Sequence, residues 1–192
     1  MFIQTQDTPN PAALKFLPGC AVMGEAPPQD FPNPQSAVAS PLAQNLFAIE
    51  GIVGVFFGQD FIAVTKDEAH EWQHIKPSIL SAIMEHFVAA RPIMADVSAA
   101  APPDNDESAN ENNDEDDEIT KAIKHILDTR VRPAVAQDGG DVVFHGFHDG
   151  VVSLHLRGAC AGCPSATQTL KGGIENLLKH YVPQVSEVRA VL

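Results

Sequence analysis

"GGDVVFHGFHDGVVSLHLRGACAGCPSATQTL", residues Gly139 to Leu170, decides the fold of the second half of this chain. The runs "GGDVVFHGF" and "VVSLHLRG" flank His148-Asp149-Gly150, an Asp-Gly turn signal, and together they predict a hairpin. Cys160 and Cys163 follow in a stretch of small residues, and Pro164 comes next. Proline suits a first helical position, because its missing N–H would have no partner there anyway. Ala166, Leu170, Ile174, Leu177, Leu178 and Tyr181 then recur at the spacing of one helical face, and "VSEVRAVL" reads as a closing strand. Upstream, Ile119, Ile123, Ile126 and Leu127 mark an amphipathic helix that Pro133 stops or bends. Acids crowd the start of that helix, and Lys124, Arg130 and Arg132 its end, matching the helix dipole. The order is α-β-β-α-β, on a sheet of three strands.

Outward from this unit, "VSAAAPPDNDESANENNDEDD" (residues 97–117) has almost nothing apolar to bury. Such a segment cannot offset its ordering entropy, so it is expected to be a disordered, self-repelling linker. Before it lies a second small unit. "MFIQTQ" alternates as a strand, and "TPNPAALKFLPG" is turn chemistry followed by an extended piece. Residues 20–39 are Pro-rich and expected as loop. Ser40-Pro41 reads as N-cap and first residue of a helix carrying Leu42, Leu46, Phe47 and Ile49. "GIVGVFFG" and "FIAVTK" predict a hairpin around Gln59-Asp60. A second helix is expected to start near Pro77, with Ile79, Leu80, Ile83 and Phe87 inward. The fold class is therefore α+β: two small α/β domains joined by an acidic disordered linker, divided as 1–92, 93–117 and 118–192. The halves show no internal repeat.

The whole chain of 192 residues carries a net charge of −13, but nine of its 25 acids fall between Asp104 and Glu118. The other sixteen face twelve bases, so the folded parts are only mildly acidic. That balance argues against nucleic acid as a partner, which needs a basic surface. With no long apolar run, no membrane association is expected. The first residues show neither a secretory nor an Arg-rich leader pattern, which suits a cytoplasmic protein, or a mitochondrial matrix one if a leader has been processed away. Three cysteines, two of them in one motif, suit a reducing compartment rather than a disulfide framework.

Cys160 and Cys163 are the candidate metal-binding and cluster-binding residues. At a helix opening, and with Arg157 nearby, both thiols are expected to shift toward thiolate. Small neighbours leave them exposed with little steric cover. Three chemistries fit. A dithiol–disulfide oxidoreductase places Cys-x-x-Cys at a helix start after a strand, but no βαβ unit precedes the motif here. Zinc needs four ligands, and His145, His148 and His155 lie on the hairpin without forming a second pair. An iron–sulfur cluster also needs four thiolates; one chain brings two, and a symmetric pair of chains brings four. A cluster held at such an exposed interface would be released easily, as a carrier requires. Cys20, in the Pro-rich stretch, reads as an incidental thiol. Trp72 between His70 and His74 reads as a helix-capping surface residue rather than part of a metal pair.

"AQDGGDVVFHGF" with "VVSLHLRGACAGCPSATQTLKGGIENLLKHYVP" resembles the NifU C-terminal, or Nfu-type, iron–sulfur scaffold domain over most of residues 115–192. "MFIQTQDTPNPAALKFLPG" with "LAQNLFAIEGIVGVFFGQDFIAVTK" independently resembles the Nfu N-terminal domain, over about residues 1–90. The resemblance implies a non-enzymatic scaffold and carrier that holds a 4Fe–4S cluster at a homodimer interface and passes it to apo-proteins. It places Cys160 and Cys163 at the ligand positions, and gives Cys20 no role. Implied partners are a second copy of the chain when the cluster is bound, apo iron–sulfur target proteins, and upstream cluster-assembly proteins.

Overall fold

The computed structural model describes residues 2–95, 114–161 and 164–191, with backbone alone at 114–117 and 164–167. Most of the expected linker and Cys163 lie outside the described residues.

The first half is a five-stranded antiparallel sheet in the order β1-β2-β5-β4-β3. Its strands are β1 (Gln4–Asp7), β2 (Ala13–Leu17), β3 (Gln29–Phe31), β4 (Ile52–Phe57) and β5 (Ile62–Lys66). Helices α1 (Pro41–Phe47) and α2 (Trp72–Val88) complete it. Ser40 caps α1 as expected, accepting the Ala43 N–H at 3.2 Å, and its hydroxyl donates to Ile93 O at 2.6 Å. The stretch expected as loop instead contains β3 and a 3₁₀ turn over Pro34–Ala39, capped by Asn33. Edge pairing to β4 organises a segment whose prolines had suggested none. Helix α2 starts five residues before Pro77, so that Pro77 lies in its second turn, on the exposed side.

Every other residue of β2, of β5 and of β4 from Val55 onward faces the two helices, a bulge after Ile52 breaking the alternation in β4. Leu14, Phe16, Val55, Phe57, Ile62 and Val64 form that core with Leu42, Leu46, Ile79 and Ile83. Several of the alternate residues, among them Ala13, Lys15, Phe56 and Ala63, are buried too. Phe56, Phe61 and Ala63 form a separate cluster with Leu17 on the opposite face of the sheet, packed against Ala136 of the second half. "VFF" and "FIAV" are unbroken apolar runs for this reason: both faces of these strands are covered. Full burial of a Phe contributes about 1.5–3 kcal/mol.

In the second half, α3 (Asp114–Ile126) begins inside the acidic run and passes into a π-helical turn over Leu127–Val131, then α4 (Arg132–Gln137). The wide turn absorbs the bend expected of Pro133, which cannot donate to the helix ladder. Strands β6 (Gly140–His148) and β7 (Val151–Gly158) form the hairpin, with Asp149 and Gly150 at φ +50° and +79°. Both positive angles fit the tight turn that Asp-Gly favours. A bulge between Phe144 and Gly146 leaves His145 exposed. Helix α5 (Pro164–Tyr181) crosses over to β8 (Glu187–Val191), which pairs parallel with β7 in a three-stranded sheet. Ile123, Leu127, Val131, Val135, Ile174 and Leu178 pack on that sheet. Tyr181 departs from the expected apolar face: it is 46% exposed, under the Arg130 guanidinium at 4.8 Å. Among the described residues no helix is long and apolar enough to cross a membrane.

Candidate metal centre

The strand-to-helix turn between β7 and α5 is built on glycine. Gly158 ends β7 at φ +65°, where an L side chain is strained, and a Cβ there would meet Gly139 O and the Phe56 ring at 2.8 Å. Ala159 N–H donates to Gly139 O (3.2 Å), and Ala161 N–H to Gly158 O (3.0 Å). These bonds turn the chain so that the Cys160 sulfur lies against Gly140. Any Cβ at Gly140 would come within 2.6 Å of that sulfur and 2.7 Å of Arg157 O.

Cys160 is therefore buried, at 6% exposure, contrary to the exposed thiol expected from its small neighbours. Burial pushes its thiol up to about 12, and the nearby Asp138 and Asp141 carboxylates push the same way. The expected thiolate is thus disfavoured at Cys160 in this conformation. The charge of Arg157 acts on Asp30, whose carboxyl burial raises and Arg157 lowers. Asp141 itself, buried at the start of β6, receives Arg132 Nε at 3.0 Å and Nη2 at 3.2 Å, while Nη1 reaches Asp128 at 3.1 Å.

The first half of the chain closes one side of the turn. Asn10 Nδ2 donates to Ala159 O at 3.1 Å in a buried contact, while its Oδ1 accepts Ala12 N–H at 3.0 Å. Gly158 N–H donates to Asp30 Oδ1 at 3.3 Å. Lys15 Nζ donates to Ala136 O at 2.8 Å and lies 4.2 Å over the Phe61 ring. A cavity of about 520 Å³ opens beside Cys160, its walls including Pro9 and Asn10 on one side and Val131, Val135, Leu170 and Leu177 on the other. The sequence reading missed Asn10, Lys15 and Asp30. Their signal was the unbroken apolar character of β4 and β5, which implies a second covering layer.

Cys163 lies outside the described residues. Cys20 is on an exposed turn after β2 and does not line the Cys160 cavity. His145 and His148 are exposed, and His155 is half-buried on β7. His70 bonds Asp67 at 2.8 Å and His74 is exposed. Trp72, the first residue of α2, donates Nε1 to Pro11 O at 3.0 Å instead of capping the helix, whose N-cap residue Glu71 makes no side-chain cap bond. Among the described residues, no three His, Cys, Asp or Glu side chains converge as a metal set. A thiol at the turn suits a thiophilic centre.

Two family models match the chain. "Scaffold protein Nfu/NifU N terminal" covers residues 3–90, and "NifU-like domain" covers residues 123–189. Among curated proteins, "NFU1 iron-sulfur cluster scaffold homolog, mitochondrial" of Drosophila sechellia is 50% identical over 191 residues, covering 100% of this chain and 65% of that protein. The protein of the same name in Drosophila virilis is 48% identical, covering 100% of this chain and 62% of that one. The chain thus spans less than two thirds of the length of these relatives. The solution structure of a NifU-like protein from Saccharomyces cerevisiae aligns with a TM-score of 0.45 and 27% identity, over 50% of this chain and 85% of that one. With both domains matched in order, and relatives at about half identity along its full length, the chain belongs to the Nfu/NifU family.

Proposed function

We propose that this chain is an iron–sulfur scaffold and carrier, in which Cys160 and Cys163 from each of two copies hold one 4Fe–4S cluster. The observation that carries this reading is a Cys-x-x-Cys turn around which, among the described residues, no further ligand set converges. Two such turns facing across a two-fold axis bring four thiolates, the usual complement of the cluster. The curated relatives' printed name, an iron–sulfur cluster scaffold homolog, supports the same role. Their mitochondrial label favours the matrix as the compartment.

The chain acts here by holding and releasing cargo rather than by turning over a substrate. Release proceeds by ligand exchange: each cysteine thiol of an apo-protein gives up its proton as it binds iron, and each departing thiolate of this chain takes one up. Iron and sulfide keep their oxidation states throughout. The division into residues 1–92, 93–117 and 118–192 lets the first domain contact apo-protein targets or upstream assembly proteins while the last holds the cluster.

Anaerobic reconstitution with iron and sulfide tests the reading. Wild type should turn brown, with about four irons per two chains, and sediment as a dimer. Cys160→Ser should lose that iron. Full iron retention in Cys160→Ser, or a monomer with no iron and a Cys160–Cys163 disulfide that cycles with a reductase, would overturn it.

A further inference from the structure

The seam between the two halves falls on the turn that presents Cys160. Three polar side chains of the first domain reach across it, and each engages the main chain of the second. Asn10 holds Ala159 O, Asp30 holds Gly158 N–H, and Lys15 holds Ala136 O at the end of α4. Between them the apolar face of β4 and β5 seats Phe56 against Gly158 and Ala63 against Gly139. The turn's glycines admit these contacts because they carry no side chain. Polar groups bonded to backbone atoms in a buried seam are costly to leave unpaired, so the seam closes or opens as a unit.

In the closed arrangement Cys160 is 6% exposed, between Gly140 and a cavity partly walled by Pro9 and Asn10. A sulfur shared with a second chain must project from the surface toward its counterpart. We propose that the first domain is an intrachain cover for the turn, seated by Asn10, Lys15 and Asp30, and that this seam and the contact with a second copy of the chain are alternatives. The cover lifts before another turn can meet Cys160. The inference rests on the scaffold reading for what replaces the cover, but not for the cover itself.

The test uses the full chain, reduced and cluster-free, and follows iodoacetamide modification of Cys160 by peptide mass spectrometry. Exposed Cys20 is the internal reference. Asn10→Asp keeps the oxygen that accepts Ala12 N–H but sets a carboxylate against Ala159 O. Lys15→Met keeps the apolar stem over Phe61 and removes the bond to Ala136. In the double variant, Cys160 should react on the order of tenfold faster than in wild type, the size expected from a lost buried hydrogen bond. Cys20 should be unchanged, far-UV circular dichroism retained, and the radius of gyration by X-ray scattering larger. Should the double variant misfold, Lys15→Met alone gives the same readout with a smaller rise. A Cys160 rate within twofold of wild type in a folded variant would overturn the proposal. Reconstitution of the same samples separates the two ideas: wild type that takes up no iron sinks the scaffold reading, while the modification rates still decide the cover.

Discussion

Replacing Gly158 by alanine should be among the most damaging single-methyl changes available in this chain. Gly158 holds φ +65°, and an L residue in that region costs about 1–2 kcal/mol. The new Cβ would also lie 2.8 Å from Gly139 O and 3.1 Å from the Gly140 Cα. Both neighbours are backbone, so no rotamer change relieves them, and overpacking of this kind costs about 1–3 kcal/mol. The third neighbour, the Phe56 ring at 2.8 Å, belongs to the other domain and is relieved only by parting the seam. The sum is about 2–5 kcal/mol. In a domain this small, that lowers the midpoint of thermal unfolding by roughly 10 °C or more. The assay is thermal and urea unfolding of cluster-free protein by circular dichroism, with Gly172→Ala as control. Gly172 lies within α5 with nothing inside 4 Å of its virtual Cβ, so alanine there should stabilise by about 0.5–1 kcal/mol. If Gly158→Ala unfolded within about 0.5 kcal/mol of wild type, the close approach of Gly158 to Gly139 and Gly140 would be refuted.

Arg132→Met should cost about 2 kcal/mol, because it strands the buried Asp141 carboxylate; the figure is below that of a fully buried pair because Arg132 is 40% exposed and water can enter. Adding Asp141→Asn to that variant should recover part of the loss, and a double variant less stable than Arg132→Met would refute the pairing. His86 on α2 is 1% exposed, with neither ring nitrogen hydrogen-bonded among the described residues, and burial together with Arg91 lowers its pKa. A depressed folded pKa means that the unfolded chain binds more protons in the window below its ordinary value, about 6.5. The contribution of neutral His86 is therefore present above that pH and lost as pH falls, with a slope of up to about 1.4 kcal/mol per pH unit. His86→Leu should flatten this part of the urea midpoint's pH dependence between pH 7.5 and 5.5, and an unchanged slope would count against the assignment.

Local chemistry alone determined much of this protein. Asp149-Gly150 set the hairpin because both positions tolerate positive φ, Ser40-Pro41 opened α1, and Pro164 opened α5. These are short-range effects carried by a few neighbouring residues, and they are readable from residue types. The cysteine spacing likewise marked a dithiol site and left redox, zinc and iron–sulfur chemistry all open. β3 escaped that reading because its pairing with β4 arises between residues about 26 apart in the chain. So did the state of Cys160: small flanking residues suggested exposure, whereas the turn folds the sulfur inward against Gly140. Above all, only the tertiary structure decided that β2, β4 and β5 are covered on both faces. A run such as "FIAV" says that two faces are apolar, but not what lies on the second one. What lies there is the other domain, brought through three polar side chains onto the backbone that carries Cys160 and the end of α4, more than 120 residues away along the chain.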